Sequence, residues 1–406
     1  MSSAGRQLVV LAGLATALII IQLVPLPPVV WTTLPNRDAV AKGFAMLDRP
    51  LPWLPLSLSP ARTVSSALWM LPAAAVLLGI IHLGAFRASA LAWVLAVLAM
   101  ASVAVGAVQM VGGEQSSWYF YEITNHGASV GFFANANHLA TLLIVTIPFL
   151  AALYSDAIAR GRSVQRSSGL FVVLAGTFII VSMGLVTNRS IAGLGLAIPV
   201  LTASLMMIFW RKRRIPPWSL LLVALLMVAS VTASFSTPFG NNLTSESARG
   251  SEDSRYTSFT RTLKASVDYL PVGSGLGSFP EIYRAYEPHQ SVTRYYMNHV
   301  HGDYIELALE TGVPGLTLIF LFLLWWLRRT IATWRAKEPD YFARAATIGS
   351  AAILAHSAVD YPLRSAAISA VLAMCCALIS EPRAKARRKR QSEEDASPAA
   401  RHLSAD

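Results

Sequence analysis

Tyr295-Tyr-Met-Asn-His-Val-His-Gly-Asp-Tyr-Ile-Glu-Leu-Ala-Leu-Glu-Thr-Gly-Val-Pro-Gly-Leu316 sets two histidines, Asp303, Glu306 and Glu310 directly before an apolar segment that ends at Arg328 and Arg329. Acid–base side chains therefore stand at the mouth of a membrane helix. Ionisable groups are expensive there, which points to a functional site. The plainer reading is an amphipathic interfacial helix whose charges are solvated. Gly312, Pro314 and Gly315 favour a kink or a broken start to this helix.

The rest of the chain has the composition this stretch implies. Of 406 residues, 54% are apolar and 14% charged, and the mean hydropathy is +0.51. Soluble domains carry about 25% charged residues, so the soluble class is excluded on composition. The net charge of +11 sits in short clusters between apolar runs. That is a topology signal, not the continuous basic face of a nucleic-acid binder. Cys375 and Cys376 are adjacent within an apolar run and form no disulfide framework.

Apolar runs at 8–24, 64–83, 88–111, 139–154, 169–186, 191–210, 218–235, 305–327, 345–359 and 365–379 predict about ten membrane helices. The first run lacks a small-x-small cleavage pattern and is read as a retained helix. Residues 27–63 form a proline-rich connection whose Trp31 and Trp53 suit a membrane interface. With the N-terminus inside, Arg6, Arg87, Arg160–Arg166, Arg211–Arg214, Arg328–Lys337 and the tail all fall on the cytoplasmic side. The expected architecture is an all-α polytopic integral membrane domain over 1–380. Its large periplasmic loop is 236–303, and a basic, disordered cytoplasmic tail occupies 381–406. No internal repeat is visible, which disfavours a transporter.

This topology gathers several polar residues on the outer face. Asn135, Asn137 and His138 stand at a helix entrance; one asparagine serves as an N-cap, and the group exceeds what one cap requires. Arg189 lies in a tight turn between two apolar helices, where it either snorkels to headgroups or grips a phosphate with its planar fork. His299-x-His301-x-Asp303 has a metal-like spacing but lacks a remaining ligand set, so no metal is expected. Gly273-Ser-Gly-Leu-Gly277 is a tight turn: it is not GxGxxG, and no strand–helix unit surrounds it. His356 and Asp360 are four apart on one helix face, as a structural pair or as part of the site.

Taken in order, these residues resemble a known family. His301-Gly-x9-Gly312-Val-Pro-Gly315 looks like the signature of the O-antigen ligase family, which also contains O-antigen polymerase-like and exopolysaccharide polymerase-like proteins. Arg255-x3-Phe259 and Pro271-Val-Gly-Ser-Gly-Leu-Gly-Ser-Phe279 resemble the end of that family's large periplasmic loop. Gly131-x-Phe-x-Asn-x-Asn137, Asn188-Arg-Ser190 and His356-Ser-x2-Asp360 resemble its other motifs. The chain departs from the family at Gly302, where Asn, Ser or Gln is usual, and in having about ten spans where the ligases often have twelve.

The resemblance implies a metal-independent glycosyltransferase without cofactor in the bacterial inner membrane. Such an enzyme moves a glycan from undecaprenyl diphosphate to a glycan or lipid acceptor at the periplasmic face. Arg189 and Arg255 match the family positions that neutralise the diphosphate leaving group. His301 matches the base that takes the acceptor proton. Asp303 or Glu306 is read as orienting His301, with Asn135, Asn137 and Asp360 supporting the site. The partners are the lipid-linked glycan, the acceptor and membrane lipids, with no nucleic acid. A polymerase, whose acceptor is another lipid-linked unit, fits the same residues. A small-anion transporter of the bicarbonate type is the reading from another class.

Overall fold

The computed structural model describes residues 1–83, 87–160, 164–209, 217–235, 255–291 and 297–381. The Arg211–Arg214 cluster, residues 161–163 of the 160–166 loop, residues 236–254 and the tail from 382 lie outside the described residues. The chain opens with α1 (Ser3–Leu23). Next come β1 (Pro25–Leu26), α2 (Pro28–Trp31), α3 (Asp38–Met46) and β2 (Leu54–Pro55), with β1 and β2 paired antiparallel. α4 (Pro60–Trp69) and α5 (Leu71–Leu83) follow, then α6 (Ala88–Gly112), α7 (Ala136–Ala159), α8 (Val164–Asn188), α9 (Ile191–Phe209) and α10 (Pro217–Phe235). The last five are α11 (Arg255–Asp268), α12 (Phe279–Tyr286), α13 (Asp303–Arg335), α14 (Tyr341–His356) and α15 (Ala366–Ser380).

Among the described residues, 7 helices are long and apolar enough to cross a membrane; α4 and α5 count as one span from Pro60 to Leu83. α10 and α15 carry shorter apolar stretches, and α14 covers the remaining expected segment. Each of the ten predicted runs thus coincides with a helix. The outer helices turn large apolar side chains outward: Val10 and Leu14 on α1, Val172, Ile179 and Met183 on α8, and Leu221 and Leu225 on α10 are all exposed. Such surfaces oppose folding in water and are at home in hydrocarbon, so the chain is an all-α polytopic membrane protein.

α7 is the hub. It is buried along nearly its whole length and packs against α6, α8, α9 and α14. Small residues allow the close approach. A Cβ at Gly193 of α9 would stand 2.6 Å from the Ala140 Cβ. On α14, a Cβ at Gly349 would stand 3.0 Å from Val145 Cγ1 of α7, and Ala345, Ala346 and Ala352 of the same helix are buried. α7 begins where the sequence places a cap: the Asn135 side chain accepts the Asn137 N–H at 2.8 Å.

A second, smaller core lies outside the bundle. Ala265 and Tyr269 of α11 and its end, Phe279, Ile282 and Tyr283 of α12, and Ile305 and Leu309 of α13 pack together. The segment before α13 is therefore folded down onto its start. In the earlier connection, Trp31 turns into the fold. It is 1% exposed and donates to the Pro52 carbonyl at 2.9 Å, whereas Trp53 is exposed.

Candidate active site

Asp303, Glu306 and Glu310 recur three and four apart, so one face of α13 carries three carboxylates. All three are buried. Their common partner is Arg364, from the short 3-10 turn Pro362–Arg364 ahead of α15. Its Nη2 lies 2.8 Å from Glu310 Oε2 and 3.2 Å from Glu306 Oε1, and its Nε lies 3.7 Å from Asp303 Oδ1. Burial disfavours the charge on Arg364, but the three carboxylates overrule it and hold its pKa above the ordinary value. Asp303 Oδ2 also accepts the Leu363 N–H at 3.1 Å, which fixes the turn that delivers the arginine.

The predicted break in α13 is present. Gly312 has φ 57° and ψ −149°, a backbone that L side chains resist. The break turns carbonyls toward the preceding loop. Leu309 O accepts Ser274 N–H at 2.9 Å, Glu310 O accepts Gly275 N–H at 2.9 Å, and Val313 N–H donates to Pro271 O at 2.8 Å. The remaining amides of the glycine-rich turn are also engaged. Gly273 N–H bonds Tyr269 O, Leu276 N–H bonds Gln22 Oε1 and Gly277 N–H bonds Glu310 Oε1, each at 2.9 Å. Every N–H from 273 to 277 is thus used by the protein itself, as a tight turn requires and a phosphate loop does not.

Two histidine–carboxylate pairs stand beside this knot. His299 Nδ1 is 2.8 Å from Glu306 Oε1, while Glu306 Oε2 accepts the Val300 N–H at 3.0 Å. His301 Nδ1 is 3.2 Å from Asp360 Oδ1. The Tyr361 ring adjoins both imidazoles, with centroids 4.7 Å from His299 and 5.0 Å from His301. The expected orienters of His301 are therefore replaced. Asp360 meets His301, Glu306 meets His299, and Asp303 meets Arg364, because α13 turns its acidic face toward α15 while His301 sits before the helix, against the end of α14. α14 ends at His356, so Asp360 lies in the turn beyond it, with His356 Nε2 4.0 Å from Asp360 Oδ2. Burial pushes the Asp360 pKa up, but the bond and charge of His301 and the charge of His356 win and hold it well below the usual carboxylate range.

His301 has φ 52° and Arg189 φ 59°; among the described residues, the other non-glycine residues at positive φ are Asn36 and Asp48. Asn, Asp and His visit this region more readily than most residues, whereas Arg does so at a cost of about 1–2 kcal/mol. In each case the surroundings impose the conformation. Arg189 is flanked by locked residues: Asn188 Nδ2 donates to Ser129 O at 2.6 Å and Ala136 O at 2.9 Å, and Ser190 Oγ donates to Asn137 Oδ1 at 2.7 Å. Asn135 Nδ2 donates to the Tyr361 hydroxyl at 3.1 Å, linking the α7 entrance to the histidines. Asn135, Asn137, His301 and Asp360 thus belong to one connected cluster. Arg189 itself is exposed at the lip of α8 and α9. Arg255 opens α11, and its side chain lies outside what is described.

A cavity of about 780 Å³ adjoins the cluster. Its polar end is formed by Arg62, Asn298, His299, Asp303, Glu306, Glu310 and Arg364; its apolar length runs between α1, α5, α13 and α15, past Leu11, Leu77, Phe322 and Cys376. Across Trp69, Arg364 and Ala366 lies an apolar cavity of about 690 Å³, into which His138 of α7 faces. Arg189 lines neither. Sequence reasoning missed Arg364 and Gln22. The signal for Arg364 was present: three carboxylates on one helix face demand a buried cation, and an arginine on the arginine-poor side is the candidate. Among the described residues, no three His, Cys, Asp or Glu groups are arranged to hold a metal ion.

Comparison of the sequence with curated proteins found no match. Residues 175–320 match the family described as O-antigen ligase. The match takes in Asn188-Arg189-Ser190, the α11 segment, the 271–279 turn, His301 and the α13 break; Asn135, Asp360 and Arg364 lie outside it. The apolar helices make the chain a membrane protein, and its residues 175–320 are similar to the O-antigen ligase family.

Proposed function

We propose that this protein is a lipid-carrier-dependent glycosyltransferase of the bacterial inner membrane. It moves a glycan from undecaprenyl diphosphate to an acceptor at the periplasmic face. The observation that carries this reading is the cavity of about 780 Å³, with ionisable groups at one end and an apolar course between membrane helices along the rest. An amphiphile with a charged head and a long hydrocarbon tail matches that division.

In the reaction, the acceptor oxygen attacks the anomeric carbon, and the bond from that carbon to the diphosphate breaks. His301 takes the acceptor proton. Its Nδ1 faces Asp360, so Nε2 is the nitrogen that receives the proton, and the buried carboxylate steadies the imidazolium that forms. Arg189, which lies outside the lining of that cavity, and Arg255 are assigned the charge that develops on the diphosphate, with two planar forks supplying donors to several oxygens. Asn135 and Asn137 support the site by fixing the α7 entrance, to which Tyr361 and Ser190 are bonded. No metal enters this scheme. The test is transfer by the purified protein in vesicles, from a defined undecaprenyl diphosphate glycan to lipid A-core. Wild type should transfer in the presence of chelator. His301→Ala should remain folded and lose on the order of 10²-fold in turnover. Near-normal turnover in that variant would make the histidine structural.

A further inference from the structure

The catalytic scheme leaves His299 without a task, yet it is held as carefully as His301. Its Nδ1 is engaged by a fully buried carboxylate, Glu306, at 2.8 Å, and that carboxylate is itself fixed by the Val300 N–H and by Arg364. The ring rests on Tyr361, on which His301 also rests. His299 lines the large cavity, whereas His301 does not. The pairing at Nδ1 leaves Nε2 as the nitrogen available to a ligand there. Three carboxylates also meet one guanidinium in this knot, and Glu306 is the one of them that His299 touches.

We propose that His299 is a second catalytic residue, the acid that protonates the departing diphosphate, with Glu306 as its positioning residue. The inference rests on the glycosyltransferase reading above. As the acceptor oxygen bonds to the anomeric carbon, the electron pair of the breaking bond goes to the diphosphate oxygen. The proton on His299 Nε2 passes to that oxygen, while the acceptor proton passes to His301. After release, water carries one proton from His301 and returns one to His299, so the cycle closes with no net change. Tyr361 separates the two imidazoles and keeps the roles apart.

The test follows release of undecaprenyl diphosphate by the full-length protein in vesicles, with lipid A-core as acceptor, across pH. The charged and titrating groups around His299 are Asp303, Glu306 and Glu310 of α13, His301 before it, Arg364 and Tyr361 of the turn before α15, His138 of α7 and Arg62 of α4. They remain unchanged in His299→Gln. That variant should turn over on the order of 10²-fold more slowly at neutral pH, with little change in donor KM, and should lack the alkaline fall in rate expected of wild type. Unchanged turnover, or a uniform loss that keeps the alkaline fall, would overturn the proposal. A second measurement needs no variant. A donor whose diphosphate bridge is difluoromethylene leaves as a weaker base and has less need of an acid. Wild type should then show a flatter alkaline limb, and identical limbs for both donors would also overturn the assignment. Wild type that transfers from neither donor would instead count against the glycosyltransferase reading itself.

Discussion

Arg364 and Arg189 use the same side chain in opposite ways. Arg364 is 14% exposed and meets Asp303, Glu306 and Glu310. Arg189 is exposed, sits in a left-handed turn and, among the described residues, has no ion pair. The residues on either side of it are pinned to α7 and to the loop before it. A guanidinium whose charge is matched inside the fold secures architecture. One that is presented by locked neighbours, as Arg189 is, stands outside any ion pair among the described residues, and it is the one proposed above to meet the diphosphate.

The contrast breaks first at Arg364. Arg364→Ala leaves three buried carboxylates without their cation, and losing one partner of such a cluster costs about 3–5 kcal/mol. The expected result is little folded protein in the membrane and a markedly lower Tm in detergent. A variant that melts like wild type would show the cluster to be neutralised by other means. Arg189→Lys and Arg255→Lys are expected to do the reverse. Each should leave abundance and Tm intact while turnover falls on the order of 10²-fold, the scale of losing one donor to a developing oxyanion. Full activity in both lysine variants would return Arg189 to headgroup snorkelling.

The smallest effect concerns Asp360 and acid. Its folded pKa is depressed, so its contribution to stability is complete above the unfolded value near 3.8 and disappears as pH falls through the lower folded value. The Tm difference between wild type and Asp360→Asn should therefore hold steady from neutral pH down to about pH 5 and shrink below about pH 4. An equal difference at pH 3 and pH 7 would mean that the His301–Asp360 contact contributes no charge term to stability.

Much of this was legible in the sequence. Every predicted apolar run became a helix because run length is a direct consequence of bilayer thickness. The break at Gly312 was visible as glycine and proline inside an apolar run. His301, Asp360, Asn135 and Asn137 were singled out, and the fold joins them. What was not legible is who pairs with whom. Asp303 and Glu306 stand next to His301 in sequence, yet a helix that starts at Asp303 turns them away, toward a residue some sixty positions later. Sequence neighbours predict contact only while the backbone continues in one conformation, and Gly302 with φ −174° ends that continuity. Gln22 escaped for a related reason: one amide in an apolar helix carries no pattern, although it bonds both Glu310 O and Leu276 N–H.

The break at Gly312 has a consequence for recombination between relatives. A Cβ there would stand 2.2 Å from Pro271 O, and the two strands of chain around it exchange hydrogen bonds in both directions. The turn at 269–279 and the start of α13 are therefore one module, although some two dozen residues separate them. A chimera that takes its outer segment from one protein and its α13 from another should cross over before α11 or after Pro314. A junction between Phe279 and Asp303 would divide the module and join two halves that were never fitted to each other.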